Sequence, residues 1–390
     1  METRTAPGTV AWIVSLNTFP YVAVPAYWVF GRSEFEDYVL MRRERVTSLN
    51  QALASDLDSL RPFRTEWEGA DEPTLRAVEQ LARLPFVSGN SAELLVDGPA
   101  TYESIFAGID AAEDYVLVQY YIVRDDGVGR ELQRRLIERA QDGVRVHLLM
   151  DGVGSADLSS RGDGWRDAHM RIEGPAVLHL QLSFLEDWRW VTSELPAVSW
   201  TPHAPAGATA PILILPTGPA DRFETGSLMV QQFIHLTKRR IWISSPYFVP
   251  DEGVIAALKL AALGGVDVRL MLPERSDSRL ATLAAETYMD PLIAAGVRIY
   301  RYQPGFMHAK RFLIDDHGAA VSTVNLDNRS FRLNFELTAL VADASFAAEV
   351  ERMFVADFAD SREMVRDEFA NKPLWFRLSA RAANLFAPAL

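Results

Sequence analysis

Cysteine is absent from all 390 residues, which excludes disulfide scaffolds, thiolate metal sites and cysteine nucleophiles together. The absence leaves the compartment open, because cytosolic and exported proteins alike can lack the residue. Lysine is scarce, with only Lys238, Lys259, Lys310 and Lys372 in the chain. Positive charge is in deficit overall: 39 Lys and Arg face 52 Asp and Glu, a formal net charge of −13. A nonspecific nucleic-acid binder needs a basic surface to meet phosphates, and this balance argues against one. What is present suits a folded protein, since 48% of residues are hydrophobic and 23% charged. The length is enough for two or three domains, each with its own core.

One stretch departs from that soluble pattern. Thr5 to Gly31 holds no ionisable acid or base apart from tyrosine. About 20 apolar residues are needed to cross the hydrocarbon of a bilayer, so the run is long enough. Trp12 at one end and Tyr27 with Trp28 at the other fit interfacial aromatic belts, and membrane helices tolerate Pro20 and Pro25. A transmembrane helix over 9–30 is therefore expected. A cleaved signal peptide needs a basic start and a small-x-small site; Arg4 is the only base here and no clear site follows. Arg32, Arg42, Arg43 and Arg45 follow the run, so the positive-inside rule places the body in the cytoplasm. Residues 31–84 are charged and mostly helical in pattern, which suggests a juxtamembrane region.

The remainder contains an internal repeat. Val116-Leu-Val-Gln-Tyr-Tyr-Ile-Val123 resembles Ile241-Trp-Ile-Ser-Ser-Pro-Tyr-Phe-Val249, and each precedes apolar residues at helical spacing. Gly143-Val-Arg-Val-His-Leu-Leu-Met then matches Gly265-Val-Asp-Val-Arg-Leu-Met-Leu. Strand, helix and strand in this order predict a right-handed βαβ unit in each half, hence an α/β protein of two similar halves. The first half is expected over 85–190, a Pro- and Ala-rich linker over 191–211, and the second half over 212–390. The spacing shows a gap. Gly143 to Gly265 is an offset of 265 − 143 = 122, whereas Phe184 to Phe354 is 354 − 184 = 170. The first half is therefore short by 170 − 122 = 48 residues, and the shortfall lies between Asp151 and Trp165.

The longer half carries the chemistry, in His308-Ala-Lys310 followed four residues later by Asp315. On a strand, His308 and Lys310 leave one face, continued by Phe312 and Ile314, while Arg311 and Leu313 point the other way. Asp316-His317-Gly318 makes the turn, and a returning strand over 319–325 places Thr323 and Asn325 on a common face. That set suits phosphoryl transfer. Lys310 can neutralise a phosphate, Thr323 and Asn325 can donate to its oxygens, and His308 can attack phosphorus to give a phosphohistidine. Carboxylates such as Asp315 or Glu336 can orient an imidazole and support its charged form. Random placement gives His-x-Lys-x4-Asp with probability on the order of 0.005.

His308-x-Lys310-x4-Asp315, with Ser322-Thr-Val-Asn325 and Asn334-Phe-Glu336, resembles the phospholipase D superfamily, and within it the bacterial cardiolipin synthases. Trp165-Arg-Asp-Ala-His169, Ile172-Glu-Gly-Pro-Ala176, Pro246-Tyr-Phe-Val-Pro250 and Pro373-Leu-Trp-Phe extend the resemblance over nearly the whole chain. It implies two phospholipase D-like α/β/α halves, the first truncated. It also implies a membrane enzyme, with the bacterial inner membrane as its place. Two phosphatidylglycerol molecules become cardiolipin and glycerol, without a metal or other cofactor. One histidine forms the phosphatidyl-enzyme and a second, from another motif, moves protons. On this resemblance His308, Lys310 and Asp315 are catalytic, with Thr323, Asn325 and Glu336 in support.

The family carries two such motifs, yet no His-x-Lys occurs in the first half. His147 and His169 read as structural, since neither stands at a motif position. Three readings of the gap follow: a homodimer pairing two copies of His308, an impaired relative that holds phospholipid, or a deletion form of an ordinary synthase. A nuclease or phosphodiesterase is the competitor from another class, and the acidic charge counts against nucleic acid as its partner. The acceptor stays open between a second phosphatidylglycerol, another lipid head group and water. Leu374 to Phe386 mixes aromatic and basic residues, and either lies on a membrane surface or closes the second half.

Overall fold

The computed structural model describes residues 13–21, 23, 24, 36–152, 155 and 165–390. It divides into two units, 1–52 and 53–390. In the smaller unit, residues 13–18 are helical and Ile13, Val14, Phe19 and Tyr21 are exposed. Helix α1 (Glu36–Ala52) follows. Among the described residues no helix is long and apolar enough to cross a membrane. Residues 9–12, 22 and 25–30 of the expected span lie outside the described set.

The region expected to be juxtamembrane divides at Ala52, and its later part belongs to the larger unit. There α2 (Glu72–Ala82) starts at Asp71, whose carboxylate accepts the Thr74 N–H. Leu75, Val78 and Ala82 bury one stripe of α2 in the main core, together with Trp67 and Phe86.

The first half runs β1 (Val87–Val96), α3 (Asp97–Asp110), β2 (Tyr115–Tyr120), α4 (Gly127–Gln141) and β3 (Arg145–Met150). It continues through β4 (Trp165–Arg166), β5 (Ala168–Glu173) and α5 (Val177–Thr192). Residues 194–209 contain no helix or strand and lead to the second half. That half opens with β6 (Ala210–Thr217), α6 (Thr225–Leu236), β7 (Arg240–Ser244), β8 (Phe248–Val249), α7 (Glu252–Leu263) and β9 (Asp267–Pro273). It then adds α8 (Arg279–Ala294), β10 (Arg298–Tyr302), β11 (Phe306–Met307), β12 (Lys310–Ile314) and β13 (Gly318–Ser322). Last come β14 (Leu326–Asp327), α9 (Asn328–Arg332), β15 (Glu336–Val341), α10 (Ala344–Ala359), β16 (Ser361–Glu363) and α11 (Leu374–Asn384).

The repeat is visible in fine detail. Gly143 and Gly265 both follow a helix with positive φ, 92° and 91°. Each donates its N–H three residues back, and the next residue, Val144 or Val266, donates to the carbonyl five residues back. This is the same left-handed helix ending twice, which glycine permits without steric cost.

One ten-stranded sheet carries the larger unit, in the order β16-β10-β9-β7-β12-β13-β15-β6-β1-β5. β6 and β1 pair antiparallel at the seam between the halves. On the second-half side the sheet continues through β15, the β13–β12 hairpin, β7 and β9. On the first-half side it stops at β5, and β2 with β3 forms a separate parallel pair. The counterpart of the β12–β13 hairpin is what would join β5 to β2. The 48-residue shortfall thus appears as two strands absent from the sheet order of the described residues.

Alternation along β12 divides the core. Phe312 and Ile314 join a cluster with Phe233, Ile243 and Leu270, whereas Leu313 joins Trp242, Met271 and Phe354 on the other face. Helices thus cover both faces of the sheet, an α/β/α layering around fully buried strands.

Candidate active site

His308 and Ala309 form the short link between β11 and β12 rather than part of a strand. What holds the link is the first half. β11 pairs in parallel with β4, and the His308 and Ala309 N–H groups both donate to the Arg166 carbonyl, at 2.8 and 3.1 Å. The Trp165 ring lies 4.4 Å from the His308 ring, centroid to centroid, and Phe306 flanks it at 5.8 Å.

Both imidazole nitrogens are engaged. Nδ1 lies 2.9 Å from Asp167 Oδ2, and Nε2 lies 2.9 Å from Lys310 Nζ. Lys310 Nζ is also 3.2 Å from Nδ1, so it lies against the ring rather than along the Nε2 lone pair. A carboxylate can only accept, so the Asp167 bond assigns the proton of the neutral ring to Nδ1 and leaves Nε2 its lone pair. Lys310 also donates to the His308 carbonyl at 2.8 Å. Burial lowers the His308 pKa, opposed by the hydrogen bond to Asp167, so the ring rests neutral. Burial likewise pushes Lys310 down to about 8, against Asp167, Glu336, Asp327 and Asp277, which favour its charge. Burial alone would raise Asp167, but the hydrogen bond and charge of His308, with Lys310 and His169, hold it at about 2.

Asp167 is itself fixed by neighbours. Its Oδ1 accepts the Ala168 N–H at 2.9 Å, and its own N–H donates to Asp97 Oδ1 at 2.9 Å. Asp97 stands in the left-handed region, with φ 62°, at the head of α3. Its second oxygen accepts from Arg166 Nη1 at 2.7 Å, and Arg166 Nε donates to Asp357 at 2.8 Å. Asp357 also takes Arg311, which is fully buried on β12. Alternate charges therefore run from the core of the second half to the carboxylate that faces His308.

The other expected residues are placed less uniformly. β13 ends at Ser322, so Thr323 and Asn325 lie past the strand. Thr323 Oγ1 accepts the Leu337 N–H at 2.8 Å, and its hydroxyl also bonds the Glu336 carboxylate. Glu336 Oε1 further accepts from Ser330 and Asn334, each at 3.0 Å. Burial raises the Glu336 pKa, with these donors and Lys310 opposing. The half-buried Asn325 leaves its Oδ1 without a partner among the described residues.

Asp315 does not orient the imidazole. Seven residues of nearly extended chain separate it from His308, about 20 Å at ~3.3 Å per residue. Its carboxylate accepts the N–H groups of Lys238, Arg239 and Arg240 at 2.8–3.0 Å, while its backbone turns at φ 50°. It ties the hairpin to the start of β7. Asp167 does the orienting instead. His169, read from the sequence as structural, has its Nε2 3.8 Å from the same Asp167 Oδ2 that faces His308, and its side chain is half exposed. Tyr247, whose hydroxyl donates to Asp277 at 2.7 Å, stands near Phe306 at the same mouth. Among the described residues no cluster of three or more His, Asp or Glu could hold a metal ion.

Residues 230–358 match a family model described as "Cardiolipin synthase, PLD-like domain". Cardiolipin synthase A of Pseudomonas fluorescens is 38% identical over 454 positions, covering 100% of this chain and 94% of the relative. That of Pseudomonas aeruginosa is 39% identical over 455 positions, covering 100% and 92%. With 390 residues set against 454 positions, 454 − 390 = 64 positions of the first relative have no counterpart here. The crystal structure of phosphatidylserine synthase from Haemophilus influenzae superposes with a TM-score of 0.62 at 13% identity. It covers 82% of this chain and 100% of its own, which shows a shared fold.

Proposed function

The chain belongs to the cardiolipin synthase family of phospholipase D-like proteins, and we propose that it is a phosphatidyltransferase joining two phosphatidylglycerol molecules into cardiolipin. The observation that carries this is the placement of His308, with Nδ1 on the Asp167 carboxylate and Nε2 beside the buried Lys310 ammonium. Lys310 rests against the imidazole, near both ring nitrogens, until a stronger acceptor arrives. A phosphodiester draws the ammonium onto its own oxygens and frees Nε2.

Nε2 then attacks phosphorus, the bond to the glycerol oxygen breaks, and a phosphatidyl-histidine forms. The departing oxygen needs a proton, and His169 is the group assigned to give it. It shares Asp167 with His308 and is open to solvent. In the second step the glycerol hydroxyl of another phosphatidylglycerol gives its proton back to His169 and attacks phosphorus. The P–N bond breaks and Nε2 is restored. Lys310 holds the phosphate charge through both steps, with Thr323, Asn325 and Glu336 shaping the opposite wall. Asp315 serves from a distance, by fixing the hairpin.

A homodimer in which two copies of His308 serve one phosphate is the second reading, favoured by the lone His-x-Lys motif. The uncharged run from Thr5 to Gly31 is proposed as the membrane anchor of a cytoplasmic body, with Arg32, Arg42, Arg43 and Arg45 on its inner side. Incubating the membrane-embedded protein with phosphatidylglycerol tests the activity. Cardiolipin and free glycerol are expected from the wild type, and a loss on the order of 10⁴-fold or more from His308→Ala. Equal product from both, or none from either, overturns the proposal.

A further inference from the structure

The last helix presents the wrong face to solvent for a helix that merely closes a fold. α11 packs against α8 through small residues: Ala383, with Ala387 just past the helix, meets Ala281 and Ala284 in one buried cluster, and Ala380 is fully buried. The Tyr288 hydroxyl locks the contact by donating to Asn384 at 2.8 Å. Its large side chains point outward. Leu374, Trp375, Leu378, Leu385 and Phe386 are between 56% and 81% exposed. A surface helix ordinarily turns its apolar stripe inward, and a contiguous exposed stripe marks an interaction surface.

Charge identifies what the stripe fits. From Asn371 to Leu390 the chain has Lys372, Arg377 and Arg381 and not one acid, in a protein of net charge −13. Lys372 faces Glu286 and Glu368 in the cleft beside α11, whereas Arg377 and Arg381 form no ion pair with a carboxylate among the described residues. A self-association about a two-fold axis would set this basic face against itself. An anionic bilayer meets both needs: acyl chains for the leucines and aromatics, and phosphates for the bases. The stripe is also tied to the active site. Tyr247 joins the cluster under α11, and the Arg329 N–H donates to the Leu390 carbonyl at 2.8 Å.

We propose that the outward face of α11, with Arg377 and Arg381, rests on an anionic lipid surface and presents the His308 site to it. The biological sense of this rests on the phosphatidyltransferase reading; the contact itself does not require turnover.

The absence of cysteine allows a unique label. Full-length Trp375→Cys, in the His308→Ala background, carries an environment-sensitive fluorophore, and Gln141→Cys serves as the control. Both are reconstituted in phosphatidylcholine vesicles with and without phosphatidylserine, an anion that is not the proposed substrate, and with quenchers on the acyl chains. The label at 375 is expected to shift to the blue and be quenched when phosphatidylserine is present, and the label at 141 is not. Arg377→Glu with Arg381→Glu is expected to cut the docked-to-undocked ratio by roughly fivefold or more for each charge, at ~1 kcal/mol per basic residue. Quenching at 375 that ignores lipid charge overturns the proposal. So does label-to-label quenching between chains without acyl-chain quenching, which would assign the stripe to a second copy. Docking without cardiolipin synthesis by the His308-intact chain would instead overturn the assigned activity and leave the contact standing.

Discussion

At His308 the two halves of the chain meet in one ring, and its chemistry is set by groups titrating in opposite senses. The attacking imidazole must be neutral, so activity falls as pH drops through a His308 pKa held below its ordinary value of 6.5 by burial. The ammonium that holds the phosphate must be charged, so activity falls again as pH rises through about 8, where burial has set Lys310. Asp167, at about 2, stays ionised throughout and adds no limb. A bell-shaped kcat/KM profile is expected, because that parameter reports the free enzyme. Lys310→Arg is expected to remove the Lys310 contribution to the alkaline limb, since guanidinium stays charged, leaving that of the proton donor and lowering the plateau through its different shape. An alkaline limb unchanged in Lys310→Arg would assign it to another group. His169→Ala is expected to lower phosphatidylglycerol turnover by roughly 10²- to 10⁴-fold, the usual span for a proton-transfer group. A nitrophenyl phosphodiester, whose leaving group needs no proton, is expected to restore the first step. Equal losses on both substrates would reduce His169 to a positioning role. His308, Lys310 and the supporting Glu336 were legible in the sequence as spacing. Asp167 was not, because its role depends on a contact across 141 residues of chain, and no local pattern encodes that.

The elements that present these residues depend on a buried charge network rather than on strand pairing alone. β11 and β4 pair over only two residues each, too little to fix a catalytic link without help. Asp357 supplies the help by taking both Arg311 and Arg166, and all three lie in or near the core. Removing one member of a buried pair leaves an uncompensated charge, and Asp357→Asn is expected to destabilise by about 3–5 kcal/mol. Denaturant midpoints measure the loss. Asp357→Leu with Arg311→Met is expected to recover most of it, because a well-packed apolar pair removes the stranded charge. Activity should not recover in step, since Arg166, which holds Asp97 and through it Asp167, would still lack its anchor on Asp357. Recovery of both would show that the network serves stability alone. The βαβ units and their glycine endings were legible because they are local and repeated. The early end of β13, which leaves Thr323 and Asn325 in a loop, was not. Alternation of polar and apolar residues continues past the last ladder bond, so the pattern does not mark where pairing stops.

We read the whole molecule as a two-motif architecture with one motif left, and its sheet order makes the consequence testable. Among the described residues β5 ends the large sheet and β2 stands apart, so the first half contributes Trp165, Arg166 and Asp167 to the site but no described hairpin of its own. If His169 supplies the second imidazole, each chain is a complete catalyst. If two copies of His308 serve one phosphate, only a pair is. Co-reconstituting wild type with His308→Ala at constant total protein separates the cases. A self-sufficient chain gives activity that falls in proportion to the wild-type fraction. A shared site needs two wild-type chains and follows the square of that fraction, with the mixed pair silent. Proportional decline is expected, because Asp167, the group that orients His308, comes from the same chain as His308. A squared decline would overturn the assignment of His169 and place the second imidazole on a partner.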